Sequence, residues 1–218
     1  LENYKCPADN ISVVYNGVDL KRFHPSNKIS YREKIRKQLG IPESSVLILF
    51  VGSGFERKGL KFLLQSTKHL KDKDWHLLLM GKGNFGKFLK YAPTEKRNQI
   101  IAKAPDPEIE KYYAAADIFI LPSIYEPFGN ANLEALATGL PVITTKYCGA
   151  ANIIDHKKNG LVVENPYHPE EIAEKINFLF DPSTRETMGE NGRELAEQFP
   201  FERNNSEMLE IYNSLIST

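Results

Sequence analysis

Six short runs of apolar, β-prone residues recur along the chain, at 46–51, 75–80, 99–102, 117–122, 141–145 and 161–163, each closed within a few residues by glycine or proline. Such runs lack the in-and-out alternation of a half-exposed strand, so both of their faces have to be covered. A stretch of helical character follows each of them, and every connection is long enough for a right-handed crossover. The expected architecture is therefore α/β, a doubly wound parallel six-stranded sheet. A chain of 218 residues, 41% of them apolar, can bury the core of one such domain. Internal repeats and low-complexity segments, which would point elsewhere, are lacking.

The helices are expected at 30–40, a surface helix with Tyr31, Ile35 and Leu39 at helical spacing, then from Gly59 to about Leu70 and from about Phe85 to Tyr91. Another is expected to start in the Lys103-Ala-Pro105-Asp-Pro107-Glu108 stretch and run through Ala116, with Pro107 near its first turn. Residues 132–137 form a helix stopped by Gly139 and Pro141, and Tyr147 to Ala151 lead a short one to about Ile154. Three more fill 169–180, 183–198 and 201–216. Ahead of all these, residues 11–15 read as a short strand closed by the Asn16-Gly17 turn.

Two loops at strand ends carry the chemistry. The first, Gly52-Ser53-Gly54-Phe-Glu-Arg57-Lys58-Gly59, puts two glycines and two cations between a strand and a helix. Glycines let the backbone approach a ligand, and cations at the positive end of a helix are unfavourable unless an anion is there. A diphosphate fits that pattern. The loop is not a Walker A sequence, which disfavours ATP hydrolysis. The second, Glu126-Pro-Phe128-Gly129-Asn130-Ala131-Asn-Leu-Glu134, sets two carboxylates eight residues apart, one past a strand end and one in the first turn or so of a helix. Free N–H groups near Gly129, Asn130 and Ala131 would suit an anion. A third glycine turn, at Gly81, closes the second strand.

Composition narrows the classes further. Twenty-eight basic and 28 acidic residues cancel, which argues against a nucleic-acid partner chosen by bulk charge. Their distribution is uneven: residues 1–103 hold 20 Lys/Arg against 9 Asp/Glu, and 104–218 hold 8 against 19. A basic half of this kind suits phosphates, either those of a small ligand or those of an anionic membrane. Cys6 and Cys148 are expected to be free thiols in a reducing compartment, and with no Cys/His cluster no metal site is expected. The longest apolar run is far too short to span a bilayer. His24 is read as an exposed loop residue. Because the chain begins at Leu1, it is expected to be a segment of something longer.

The spacing Glu126-x7-Glu134, with Pro-Phe-Gly after the first Glu and Glu-Ala-Leu-Ala-x-Gly-x-Pro-Val from the second, resembles the donor-site signature of the retaining glycosyltransferases of family 4, which have the GT-B fold. Two more stretches agree with it. Val14-Tyr-Asn-Gly-Val-Asp19 with Phe23-x-Pro25 looks like the segment entering the family's C-terminal domain, and the Arg57-Lys58 loop is closest to that of the enzymes adding the first glucose to the lipopolysaccharide core. Gly149-Ala-Ala151 departs slightly from the commoner pattern, which has a carboxylate there.

The resemblance implies a Rossmann-like C-terminal half of a GT-B enzyme, with residues 1–28 an interdomain linker, 29–200 the donor-binding domain, and 201–218 a helix crossing back toward an N-terminal acceptor domain. It implies hexose transfer, with retention and without metal or other cofactor, from a nucleotide sugar to a glycan or glycolipid acceptor. A UDP-hexose such as UDP-glucose and a lipopolysaccharide-like acceptor are favoured, in a cytoplasmic protein resting on the inner membrane face. Glu126, Arg57 and Lys58 would be catalytic, the cations holding the diphosphate. Gly52, Ser53, Gly54, Gly81, Phe128, Gly129, Asn130, Ala131 and Glu134 would bind the donor, Glu134 at the ribose, with Ala102 and Lys103 near the base. The alternatives are a GT-B-like epimerase or phosphorylase and a non-catalytic nucleotide-sugar binding module.

Overall fold

The computed structural model describes residues 7, 10–71 and 73–216. Strands β1 (Val46–Val51), β2 (Trp75–Met80), β3 (Ile100–Lys103), β4 (Ile118–Ile120), β5 (Val142–Thr145) and β6 (Leu161–Val163) form one sheet in which every pairing is parallel. Their order is β3-β2-β1-β4-β5-β6, a doubly wound arrangement in which the chain reverses direction between β1 and β4. Leu47, Leu49, Leu78, Phe119, Ile120 and Ile143 are fully buried. That burial on both faces is why the strands read as unbroken apolar runs.

Among the described residues the helices are α1 (Asn27–Leu39), α2 (Leu60–Ser66), α3 (Gly86–Leu89), α4 (Glu110–Ala115), α5 (Asn130–Ala137), α6 (Pro169–Phe178), α7 (Pro182–Ala196) and α8 (Phe201–Ile216). Several boundaries differ from those expected. The helix after Gly59 gives way to a 3₁₀ turn at Thr67–His69, α3 is one turn long, and a 3₁₀ stretch the pattern did not announce, Thr94–Gln99, precedes β3. The segment after Tyr147 is a 3₁₀ turn, Gly149–Asn152. Helix α4 starts only at Glu110, because Asp106 accepts from Glu108 N at 2.9 Å and from the Tyr112 hydroxyl at 2.9 Å, holding a turn where a helix was expected.

Residues 11–15 are not a strand. Among the described residues the leading segment makes one bridge, Val18 with Pro200, with Val18 N donating to Phe199 O at 2.9 Å. This leading segment is tied down instead by Tyr15, whose ring meets those of Phe128 and Phe199 at 6.0 and 5.9 Å.

Helix α1 is more than a surface helix. Arg36, 1% exposed, donates to Ala115 O at 2.9 Å and to the carbonyls of Pro42 and Ser45, and meets Asp117 Oδ2 at 3.2 Å. Arg32 takes the other oxygen of Asp117 at 2.9 Å, and Leu47 N donates to Oδ2 at 2.8 Å. The cluster joins α1 to the starts of β1 and β4. His24 is half-buried rather than exposed, its Nδ1 lying 2.8 Å from Ser26 Oγ and accepting from Ser26 N at 3.1 Å ahead of α1. Cys148 is a free, buried thiol, whereas Cys6 lies outside the described residues.

Candidate functional site

The reversal between β1 and β4 leaves a crevice at their carboxyl ends, where open α/β sheets take ligands. Both chemical loops emerge there, and Ile124 N donates to Arg57 O at 2.8 Å, fastening one to the other. Between them lies a groove of about 460 Å³ lined by Gly52, Ser53, Lys58, Glu126, Phe128, Gly129, Asn130, Ala131 and Glu134. Nine of the expected site residues thus share one surface. Gly54 is on the same loop without lining the groove, and Gly81 sits behind it, packed against the Gly52 carbonyl.

Lys58 crosses the groove over Gly52, where a Cβ would come within 2.3 Å of the lysine Cδ. A side chain at 52 would displace the lysine from this path. Its Nζ donates to Glu126 Oε2 at 2.8 Å, and Arg57 Nη1 donates to the same oxygen at 3.0 Å and to Tyr125 O at 2.9 Å. Lys58 and Glu126 are nearly enclosed, at 13% and 12% side-chain exposure, while Arg57, at 45%, approaches from the rim. The anion at the start of α2 is supplied by the chain itself.

Glu126 is held in place by a second loop. Its N–H donates to Tyr147 O at 3.1 Å and its carbonyl accepts from Gly149 N at 3.0 Å, a one-residue parallel bridge to the segment after β5. Beneath it the Cys148 thiol, kept neutral by burial, donates to Phe128 O at 2.9 Å. Gly129 then turns the chain at φ 83°, and a Cβ there would press on Asn132, Cys148 and Glu126 at 2.8 to 3.1 Å. Helix α5 starts directly after it with no side-chain cap, so its first amides are left for a ligand.

Glu134 falls in the second turn of α5, slightly later than expected. Burial pushes its carboxyl above the usual carboxylate range, against the hydrogen bond from Tyr113 and the charges of Arg22 and Lys58, which pull it down. The Tyr113 hydroxyl, fully enclosed, donates to Oε2 at 2.7 Å, and among the described residues no hydrogen bond reaches Oε1. One acceptor oxygen therefore remains for the groove.

Ala102 and Lys103 stand apart, on the outer strand β3, two strands from β1, with Lys103 Nζ 5.6 Å from the Tyr112 ring centre. They do not line the groove. Three residues that do were not singled out as site residues, Asn16, Val51 and Pro127. Asn16 Nδ2 donates to Asn130 Oδ1 at 2.6 Å, which brings the leading segment to the start of α5. Its turn sequence was visible, but nothing local tells which element an Asn-Gly turn will touch 114 positions away. Among the described residues, no group of three or more His, Cys, Asp or Glu could hold a metal ion, and no helix is long and apolar enough to cross a membrane.

The family model for glycosyl transferases group 1 matches residues 31–195. The D-inositol 3-phosphate glycosyltransferase of Paenarthrobacter aurescens is 31% identical over all of this chain and 55% of its own length. Among solved structures, Anabaena Alr3699/HepE in complex with UDP-glucose aligns with TM-score 0.82 at 25% identity, covering 98% of this chain and 60% of that one. WaaG, a glycosyltransferase involved in lipopolysaccharide biosynthesis, aligns with TM-score 0.77 at 28% identity, over 94% of this chain and 57% of that one. The chain spans just over half the length of the curated relatives it matches. It belongs to the glycosyl transferases group 1 family.

Proposed function

We propose that this chain is the donor-binding half of a retaining hexosyltransferase that takes its sugar from a nucleoside diphosphate, UDP-glucose or another UDP-hexose. The observation that carries the proposal is the convergence in one groove of a lysine, an uncapped helix start and two carboxylates, at the point where the sheet order reverses. Lys58 and Arg57 hold the diphosphate and stabilise the charge that builds on it as the glycosidic bond breaks, with no metal ion needed. Amides at the start of α5 add neutral donors. Glu126 accepts from the sugar hydroxyls, and Glu134, through its open Oε1, accepts from the ribose.

An acceptor domain, N-terminal to this one in the whole protein, supplies the glycan or glycolipid. Helix α8, which has no buried residue and exposes Leu209, Tyr212, Leu215 and Ile216, then packs toward that domain. A lipopolysaccharide-like acceptor is the favoured one, on the likeness of the Arg57-Lys58 loop and on the structural likeness to WaaG, a glycosyltransferase involved in lipopolysaccharide biosynthesis. The basic half of the chain, β1 to β3, suits contact with an anionic membrane.

The test uses the full-length protein with UDP-glucose and water standing in for the acceptor. Released glucose should appear first as the α anomer, release should continue in a chelator, and Glu126→Ala should slow it by about 100-fold without weakening UDP binding. Equal losses of turnover and UDP affinity would overturn the role given to Glu126. A β anomer would overturn retention.

A further inference from the structure

In the groove one carboxylate oxygen, Glu126 Oε2, takes hydrogen bonds from both cations that are needed for a diphosphate. All three groups come from two loops that are fastened together by Ile124 N donating to Arg57 O at 2.8 Å. A diphosphate that draws Lys58 and Arg57 to itself strips Glu126 of both partners and leaves a largely enclosed carboxylate beside an incoming anion. Like charges at that range repel, and an unpartnered carboxylate with little access to water is costly. A sugar attached to the diphosphate changes the balance, because its hydroxyls donate hydrogen bonds to the carboxylate that has just been vacated. The exchange of partners is then complete on both sides.

We propose that Glu126 is a specificity-determining residue that makes the groove favour the sugar-linked nucleotide over the free nucleoside diphosphate, by reclaiming Lys58 and Arg57 whenever no sugar hydroxyl occupies its carboxylate. This rests on the groove being a donor site, and it goes beyond orienting the sugar. Once the hexose has been transferred, Glu126 regains the two cations and the nucleoside diphosphate is expelled. The same residue therefore guards the empty site against product.

The experiment is a titration of this chain with UDP and with UDP-glucose, for the wild type, Glu126→Gln and Glu126→Asp, each checked for an unchanged circular-dichroism spectrum. Glu126→Gln keeps the shape and removes the charge, so UDP should bind roughly tenfold tighter while UDP-glucose gains less, and the preference for the sugar-linked form should fall. Glu126→Asp keeps the charge and should leave UDP binding weak. Three results would overturn the proposal: a Gln variant with the wild-type ratio of the two affinities, a loss of UDP affinity in that variant, or an Asp variant that tightens UDP as much as Gln does. A wild type that binds neither ligand would instead remove the donor site itself.

Discussion

A carboxylate placed where water is scarce strains the fold that holds it, and Glu134 is such a group. Its folded pKa is raised, first by burial, so between the unfolded and folded values the native state holds more protons than the unfolded chain. The cost is absent below the unfolded pKa and complete once the pH has risen past the folded one. Glu134→Gln should therefore raise the urea midpoint at neutral pH and give no gain near pH 4, while weakening ribonucleotide binding by about tenfold. A midpoint unchanged at neutral pH would contradict the assigned environment. At this scale the sequence was only partly legible. Glu126 and Glu134 stood out through the family signature that their surroundings resemble, and Arg57 and Lys58 by their place after glycines. Arg36 did not, because a charged residue on a charged helix looks solvated until Asp117 and four carbonyls are brought around it. Tyr113, the donor to Glu134, was equally silent, since a buried tyrosine in a helix reads as core.

Among elements, the turn into α5 brings the most groove residues together for its length, Glu126 to Ala131. Gly129→Ala would force a left-handed residue and push on Glu126 from below, so it should cost about 1–3 kcal/mol in chemical denaturation and also disturb the Lys58–Glu126 pair. Full stability with unaltered UDP binding would mean that the turn is looser than its contacts indicate. The strands were legible because central parallel strands must be apolar on both faces. Misreadings fell where side chains bond to nearby backbone or where pairing depends on a distant partner. Asp106 turned a helix start into a turn, and residues 11–15, with β-prone composition, join no sheet. Helix α2 kept its expected start, since Gly59 fixed it, but its end had no comparable signal.

For the molecule as a whole, the 3-2-1-4-5-6 order places the basic first part of the sequence in one half of the sheet and the acidic second part in the other. The groove lies on the boundary, with cations from β1's loop and carboxylates from the region after β4. That juxtaposition is a property of topology, and the alternation of strands and helices was enough to anticipate the sheet without giving the neighbours of each loop. As a donor site, this boundary groove should bind a nucleoside diphosphate through Lys58. Calorimetric titration of the chain with UDP, GDP and ADP, repeated with Lys58→Ala, measures that. Saturable binding that favours UDP, weakened by about tenfold or more in the variant, is the result predicted. Binding to none of the three, or a UDP affinity indifferent to the loss of Lys58, would contradict it.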